Sequence, residues 1–79
     1  MCKISCEVVD GLMPDEKVAR ITSIDGKIEE VAVPVQQISG GKLLASEVGR
    51  MHDKVLVELP RESASGHWRV WVSANSIGA

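Results

Sequence analysis

Cys2, Cys6, His52 and His67 are the residues of this chain that could ligate a soft metal. Two thiolates and two imidazoles are the donor set of a structural, tetrahedral zinc site. The spacing works against it. Zinc cysteines come as a close pair on a turn, whereas Cys2 and Cys6 lie on a stretch that reads as a strand, with α-carbons about 13 Å apart. That separation also excludes a disulfide between them, because α-carbons more than ~7 Å apart cannot be bridged. No metal and no cofactor is expected. A second set, Glu62, Ser63, Ser65 and His67, holds the residue types of a hydrolase triad within the polar loop stretch Glu62 to His67. A triad needs base, nucleophile and oxyanion donors held to within about 0.5 Å on a rigid scaffold. A solvated loop supplies none of that, so no catalytic residue and no enzyme activity is expected. Ser39-Gly40-Gly41-Lys42 lacks the GxxxxGK[ST] spacing and the strand-to-helix context of a phosphate loop, and reads as a tight turn.

The remaining chemistry is aromatic and cationic. Trp68 and Trp71 are the only aromatics in a chain without Phe or Tyr. Three residues apart on a strand, their side chains leave on opposite faces. Both lie in the C-terminal half, where Arg50, Lys54, Arg61, His67 and Arg69 also fall. An indole beside arginines suits a protein interface, where Trp and Arg are over-represented among the strongest contacts. It also suits stacking on single-stranded nucleic acid.

The elements that must position these residues follow from hydrophobic alternation. Lys3 to Val9, closed by Asp10-Gly11, reads as a first strand. Asp25-Gly26 sits between two runs rich in Val, Ile and Thr, a strong hairpin signal. A three-residue loop, Ile24 to Gly26, sets Ala19 opposite Val31 and Arg20 opposite Glu30. It puts Ala19, Ile21, Val31, Val33 and Val35 on one face. Pro34 ends the second strand at an edge or bulge. Residues 42–51 fit either a short helix or a strand from Lys42 to Glu47, and the strand is favoured because Gly49 would stop a helix within three turns. The last hairpin pairs Leu59 with Trp68, Val57 with Val70 and Val55 with Val72 on the core face. Glu58 then meets Arg69, and Leu56 meets Trp71, on the outer face. Trp68 is thus expected to close one end of the core, and Trp71 to stand outside beside Leu56, a patch that Ile28 or Met51 would widen.

Five or six such strands, with at most one short helix or helical turn, imply an all-β fold, a small antiparallel barrel. "GHWRVWVSANSI" looks like the last part of an SH3-type barrel, in which a strand runs into one tight helical turn before a final apolar residue. The resemblance implies that turn at Ser73 to Ser76 and Ile77 as the apolar residue. The Met1-Cys2 start resembles that of the β-barrel chaperones of hydrogenase maturation, but the Pro-Gly turn that follows their cysteine is absent.

Seventy-nine residues, 44% of them apolar, suffice for one compact domain spanning 1–79. The net charge of −2, with both signs interspersed, argues against a protein built mainly to hold phosphate backbones. No apolar run reaches the ~20 residues of a membrane span, and two thiols without a bond suit a reducing compartment. A cytoplasmic, soluble protein without a membrane partner is expected. Its expected function is a non-catalytic binding or assembly module that associates with a protein partner, or with itself. Leu56, Arg61, Arg69 and Trp71 would be the binding residues, with Trp71 and Leu56 at the centre and the arginines as polar rim. The alternative is a barrel that binds single-stranded nucleic acid through Trp71 with Arg50, Arg61 and Arg69.

Overall fold

A computed structural model describes residues 1–78 and is all-β. Its strands are β1 (Cys2–Ser5), β2 (Glu7–Asp10), β3 (Glu16–Thr22), β4 (Ile28–Pro34), β5 (Ile38–Ser39), β6 (Lys42–Met51), β7 (Lys54–Glu58), β8 (Arg69–Ser73) and β9 (Ile77–Gly78). Every pairing is antiparallel. One sheet runs β8-β7-β6-β1-β9 with β5 also on β6, and a second runs β2-β3-β4. These sheets do not close into the expected barrel. The β3–β4 and β7–β8 hairpins are tied by main-chain hydrogen bonds from Ile24 N to Trp71 O and from Ala64 N to Glu30 O, both 2.8 Å, in place of a ladder.

Three expectations are corrected. The first strand divides at Cys6, where the chain leaves β6 and pairs with β3 instead. Residues 42–51 form one strand longer than Lys42 to Glu47, with a bulge at Val48 that bends it from β1 onto β7. Two 3-10 turns are present instead of at most one, at Val35–Gln37 and Ala74–Ser76. Val35 opens the first and so leaves the apolar face for solvent. The second is the turn expected from the chain's end; Ser73 caps it by accepting the Asn75 amide at 3.2 Å, and Ile77 follows.

Both hairpins take the expected registers. Ala19 pairs with Val31 and Arg20 with Glu30; Leu56 pairs with Trp71 and Val57 with Val70. Gly26 has φ +86°, as the three-residue loop requires. Alternation then buries Ile21, Val31, Val33, Val55, Val57 and Val72 with Ile4 and Leu43 in one core.

The molecule also repeats itself, which the sequence reading did not anticipate. A shift of 39 residues carries the first 3-10 turn onto the second and β5 onto β9. It converts the pairs Ile38–Leu43 and Ser39–Lys42 into Ile77–Ile4 and Gly78–Lys3. The β1–β6 ladder maps onto itself. With β3 shifted by 38, Arg20–Glu30 becomes Glu58–Arg69, and the bond from Val35 N to Asp15 O becomes that from Ala74 N to Asp53 O. With β1 and β2 together the counterpart of the bent β6, two β-β-β-turn-β halves are therefore related by an internal twofold. Gly40 and Gly41, with φ +59° and +78°, join them in a two-residue turn.

Candidate binding site at the Trp71 edge

The outer face of β6, β7 and β8 carries a row of Gly49, Leu56 and Trp71 beside a row of Met51, Lys54 and Ser73. Leu56 and Trp71 are part-buried and Met51 is 52% exposed. Gly49 offers no side chain to cover Leu56. The Lys54 ammonium lies over the Trp71 ring, 4.8 Å from its centre, a cation–π contact. On the neighbouring row Arg69 Nε meets Glu58 Oε2 at 3.2 Å. Beside Trp71 an open depression of about 260 Å³ is lined by Ile24, Lys27, Glu29, His67, Arg69 and Trp71.

The wall of this depression is a polar clasp. Glu29 stands opposite Ile21, on the core side of β4, and only 7% of it is exposed. A carboxylate there must be hydrogen-bonded. Ser63 Oγ donates to Glu29 Oε1 at 2.8 Å and Ser65 Oγ donates to the same oxygen at 2.5 Å. Ser63 in turn accepts the His67 amide at 3.0 Å and is 5% exposed. The loop from Pro60 to Gly66, expected to be solvated, is instead anchored through Ser63. The Ser65 hydroxyl, followed by that of Ser63 and by His67, holds the Glu29 carboxyl below its usual range despite burial, which acts the other way.

This is not the geometry of a serine nucleophile. Ser65 gives its proton to the carboxylate, so at 2.9 Å it accepts from Nδ1 of His67. Glu29 Oε2 approaches that same nitrogen at 3.3 Å. A triad needs the serine and the carboxylate on different imidazole nitrogens. The arrangement fixes a loop.

Of the expected binding residues, the structure brings together Leu56, Arg69 and Trp71. Arg61 is elsewhere, in a small recess with Asp15, Glu16 and Pro34, because the clasp turns the start of the loop toward β3 and β4. Arg50 is committed to Glu47 through two hydrogen bonds, at 3.1 and 3.2 Å. Trp68 does not close the core. It is 53% exposed in a recess of about 450 Å³ with Met1, Leu44, Leu59 and Pro60, and Leu59 is the buried member of the pair. The internal twofold gives this recess a polar twin of about 470 Å³ lined by Ser5, Cys6, Glu7, Arg20 and Thr22. Ile28 lines that twin and does not widen the Trp71 patch. Burial pushes both thiols up, Cys2 and Cys6 alike, and Cys6 Sγ points to Gly41 O at 3.6 Å. Among the described residues no three His, Cys, Asp or Glu side chains come together as a metal site.

Glu29 and Lys27 were missed by the sequence reading, which placed Lys54 only in a cationic cluster. For Glu29 the signal was present, since the chosen register puts a charged residue opposite Ile21. Comparison with known proteins gives no match to a family model, a curated protein or a solved structure.

Proposed function

We propose that the protein is a non-catalytic binding module that associates with another polypeptide through the outer face of β8. The observation that carries this reading is the row of Leu56 and Trp71, extended by Met51, beside the edge of β8 that no strand covers among the described residues. Apolar groups of that size gain on the order of 2–3 kcal/mol when a partner removes them from water, and Arg69 supplies a polar rim. At the level of fold we read the two sheets as an opened relative of the SH3-like barrels, on the strength of the Ser73 turn and the strand that follows it. Two free thiols favour a cytoplasmic setting. Among the described residues no helix is long and apolar enough to cross a membrane. The nucleic-acid alternative has less support, because Arg50 and Arg69 are spent on Glu47 and Glu58 and Arg61 faces Asp15 and Glu16.

Light scattering over a concentration series with reductant, for wild type and Trp71→Ala, tests the reading. The expected result is association that Trp71→Ala abolishes while circular dichroism stays unchanged. A wild-type monomer directs the test to foreign peptides. Unfolding of Trp71→Ala at ordinary temperature would make the indole a structural residue and overturn the reading.

A further inference from the structure

The internal twofold presents one ladder twice, once with its strands joined by a turn and once without. β5 pairs with β6 at Ile38–Leu43 and Ser39–Lys42, and Gly40–Gly41 closes that hairpin. The counterpart ladder pairs β9 with β1 at Ile77–Ile4 and Gly78–Lys3, two strands that no turn joins. The last strand of one half therefore holds to the first strand of the other without a covalent link at the ladder. The core is divided in the same way. Ile4, Ile21, Val31 and Val33 come from residues 1–39, Leu43, Val55, Val57 and Val72 from residues 40–78, and all are fully buried in one cluster. A half without its complement leaves this apolar side in water. Nothing in the ladders requires the complement to come from the same chain.

The turn is the point at which the halves can part. Gly40 and Gly41 have φ +59° and +78°, the left-handed pair that a two-residue hairpin loop needs. Continued by one step, the register of Ile38–Leu43 and Ser39–Lys42 sets Gly40 opposite Gly41. If the turn straightens, residues 38–43 become one unbroken strand that pairs antiparallel with the same strand of a second copy, in the register the hairpin already has. The ladder from Cys2–Ala45 to Ser5–Lys42 and the β1–β9 pairs then re-form between the two chains. Every existing pair is kept, and the two glycines join the ladder.

We propose that the protein has a second assembly, a dimer in which two copies exchange residues 1–39, with Gly40–Gly41 as the hinge that selects between it and the monomer. The partner is a second copy of this chain, and the surface it fits is the interior face of each half. The Trp71 face takes no part, so the exchange stands apart from the binding reading above. A short connection holds a chain's own complement at an effective concentration of about millimolar, so a second copy competes when the protein folds near that concentration. A β-branched residue resists positive φ and favours a strand, which tips the balance toward exchange. At both glycines a Cβ would meet nothing within 4 Å, so such a substitution acts through the backbone alone.

The test is refolding of the whole protein from urea at about 1 mM, followed by size exclusion with light scattering. Wild type is expected to give a dimer fraction that persists on dilution and returns to monomer only after a second round of unfolding at low concentration. Gly40→Val/Gly41→Val, with circular dichroism unchanged, should dimerise at concentrations lower by at least about a hundredfold. A disulfide reports which chains pair, because opposite residues of an antiparallel ladder lie about 4.5–5.5 Å apart at Cα, within bridging range. In Cys6→Ser/Ala45→Cys the oxidised dimer should run as two linked chains on a non-reducing gel, and the oxidised monomer as one. A folded double-valine variant that stays monomeric after refolding at about 1 mM would overturn the inference. So would an oxidised dimer that separates into single chains, or a dimer that Trp71→Ala abolishes, which would belong to the surface reading instead. If the double-valine variant does not fold, wild type decides, and the absence of a persistent dimer overturns the exchange.

Discussion

The two halves of the molecule, residues 1–39 and 40–78, share one plan and differ at their ends. Val31 and Val33 are matched by Val70 and Val72, and Ile38 by Ile77, so the positions facing the common core are held alike. The outward positions are not. Arg20–Glu30 in one half becomes Glu58–Arg69 in the other, an ion pair of reversed polarity at the same place on the hairpin. At the mouth of the core Glu29 corresponds to Trp68: one a covered carboxylate, the other an indole in solvent. Here packing fixes the scaffold, and loop length decides which face stays open.

Ile4 and Leu43 pair with each other on the twofold, so this comparison breaks most visibly there. Ile4→Ala and Leu43→Ala should each cost about 2–5 kcal/mol. Urea unfolding reads both, and a near-neutral result at one would break the equivalence of the halves. Next in size is the contrast at the mouth. Glu29→Ala removes the acceptor of two serine hydroxyls and should cost about 1–3 kcal/mol, with faster amide exchange across residues 61–66. Trp68→Ala should cost about 1 kcal/mol or less, since its indole is half in water.

The pH dependence should divide the halves in the same way. The folded Glu29 carboxyl titrates below its unfolded value of about 4.3, so its stabilisation is complete above that pH and is lost as the pH falls through the folded value. The urea midpoint should therefore fall on acidification from pH 6 to pH 3 by more in wild type than in Glu29→Gln. Equal falls would show that the clasp does not depend on the carboxylate's charge. The smallest effects belong to the reversed ion pairs, which are largely exposed. Glu58→Gln and Arg69→Gln should stay within about 1 kcal/mol of wild type by thermal denaturation. Arg20→Gln should cost somewhat more, because Arg20 also bonds Glu7 at 2.8 Å.

Much of this plan was legible where side chains alternate on paired strands. The registers at Asp25-Gly26 and at Leu56–Trp71 follow from matching Val to Val and Arg to Glu across the ladder. Sheet exchange at Cys6 and the bulge at Val48 were not legible, because they depend on which partner strand is present and the local composition is unchanged. Trp68 was misplaced for a related reason: parity puts it on the core face, but it precedes β8 and lies beyond the end of the core. The Glu29 clasp joins residues 34 and 36 positions apart, so no local pattern announces it. The repeat escaped notice because its identities, among them Lys3/Lys42, Asp15/Asp53, Val31/Val70, Val33/Val72 and Ile38/Ile77, are scattered along the chain.

The Gly40–Gly41 turn has a consequence for chain order. Its counterpart across the twofold is the gap between Gly78 and Lys3, which already lie side by side in the β1–β9 ladder. Cutting the chain at Gly40–Gly41 and splicing Gly78 to Lys3 through a short linker gives a circular permutant that keeps every strand pair except Cys2–Ala45. In that permutant the half bearing the Trp71 depression leaves the ribosome first, with its exposed strand edge made before the half that completes the core.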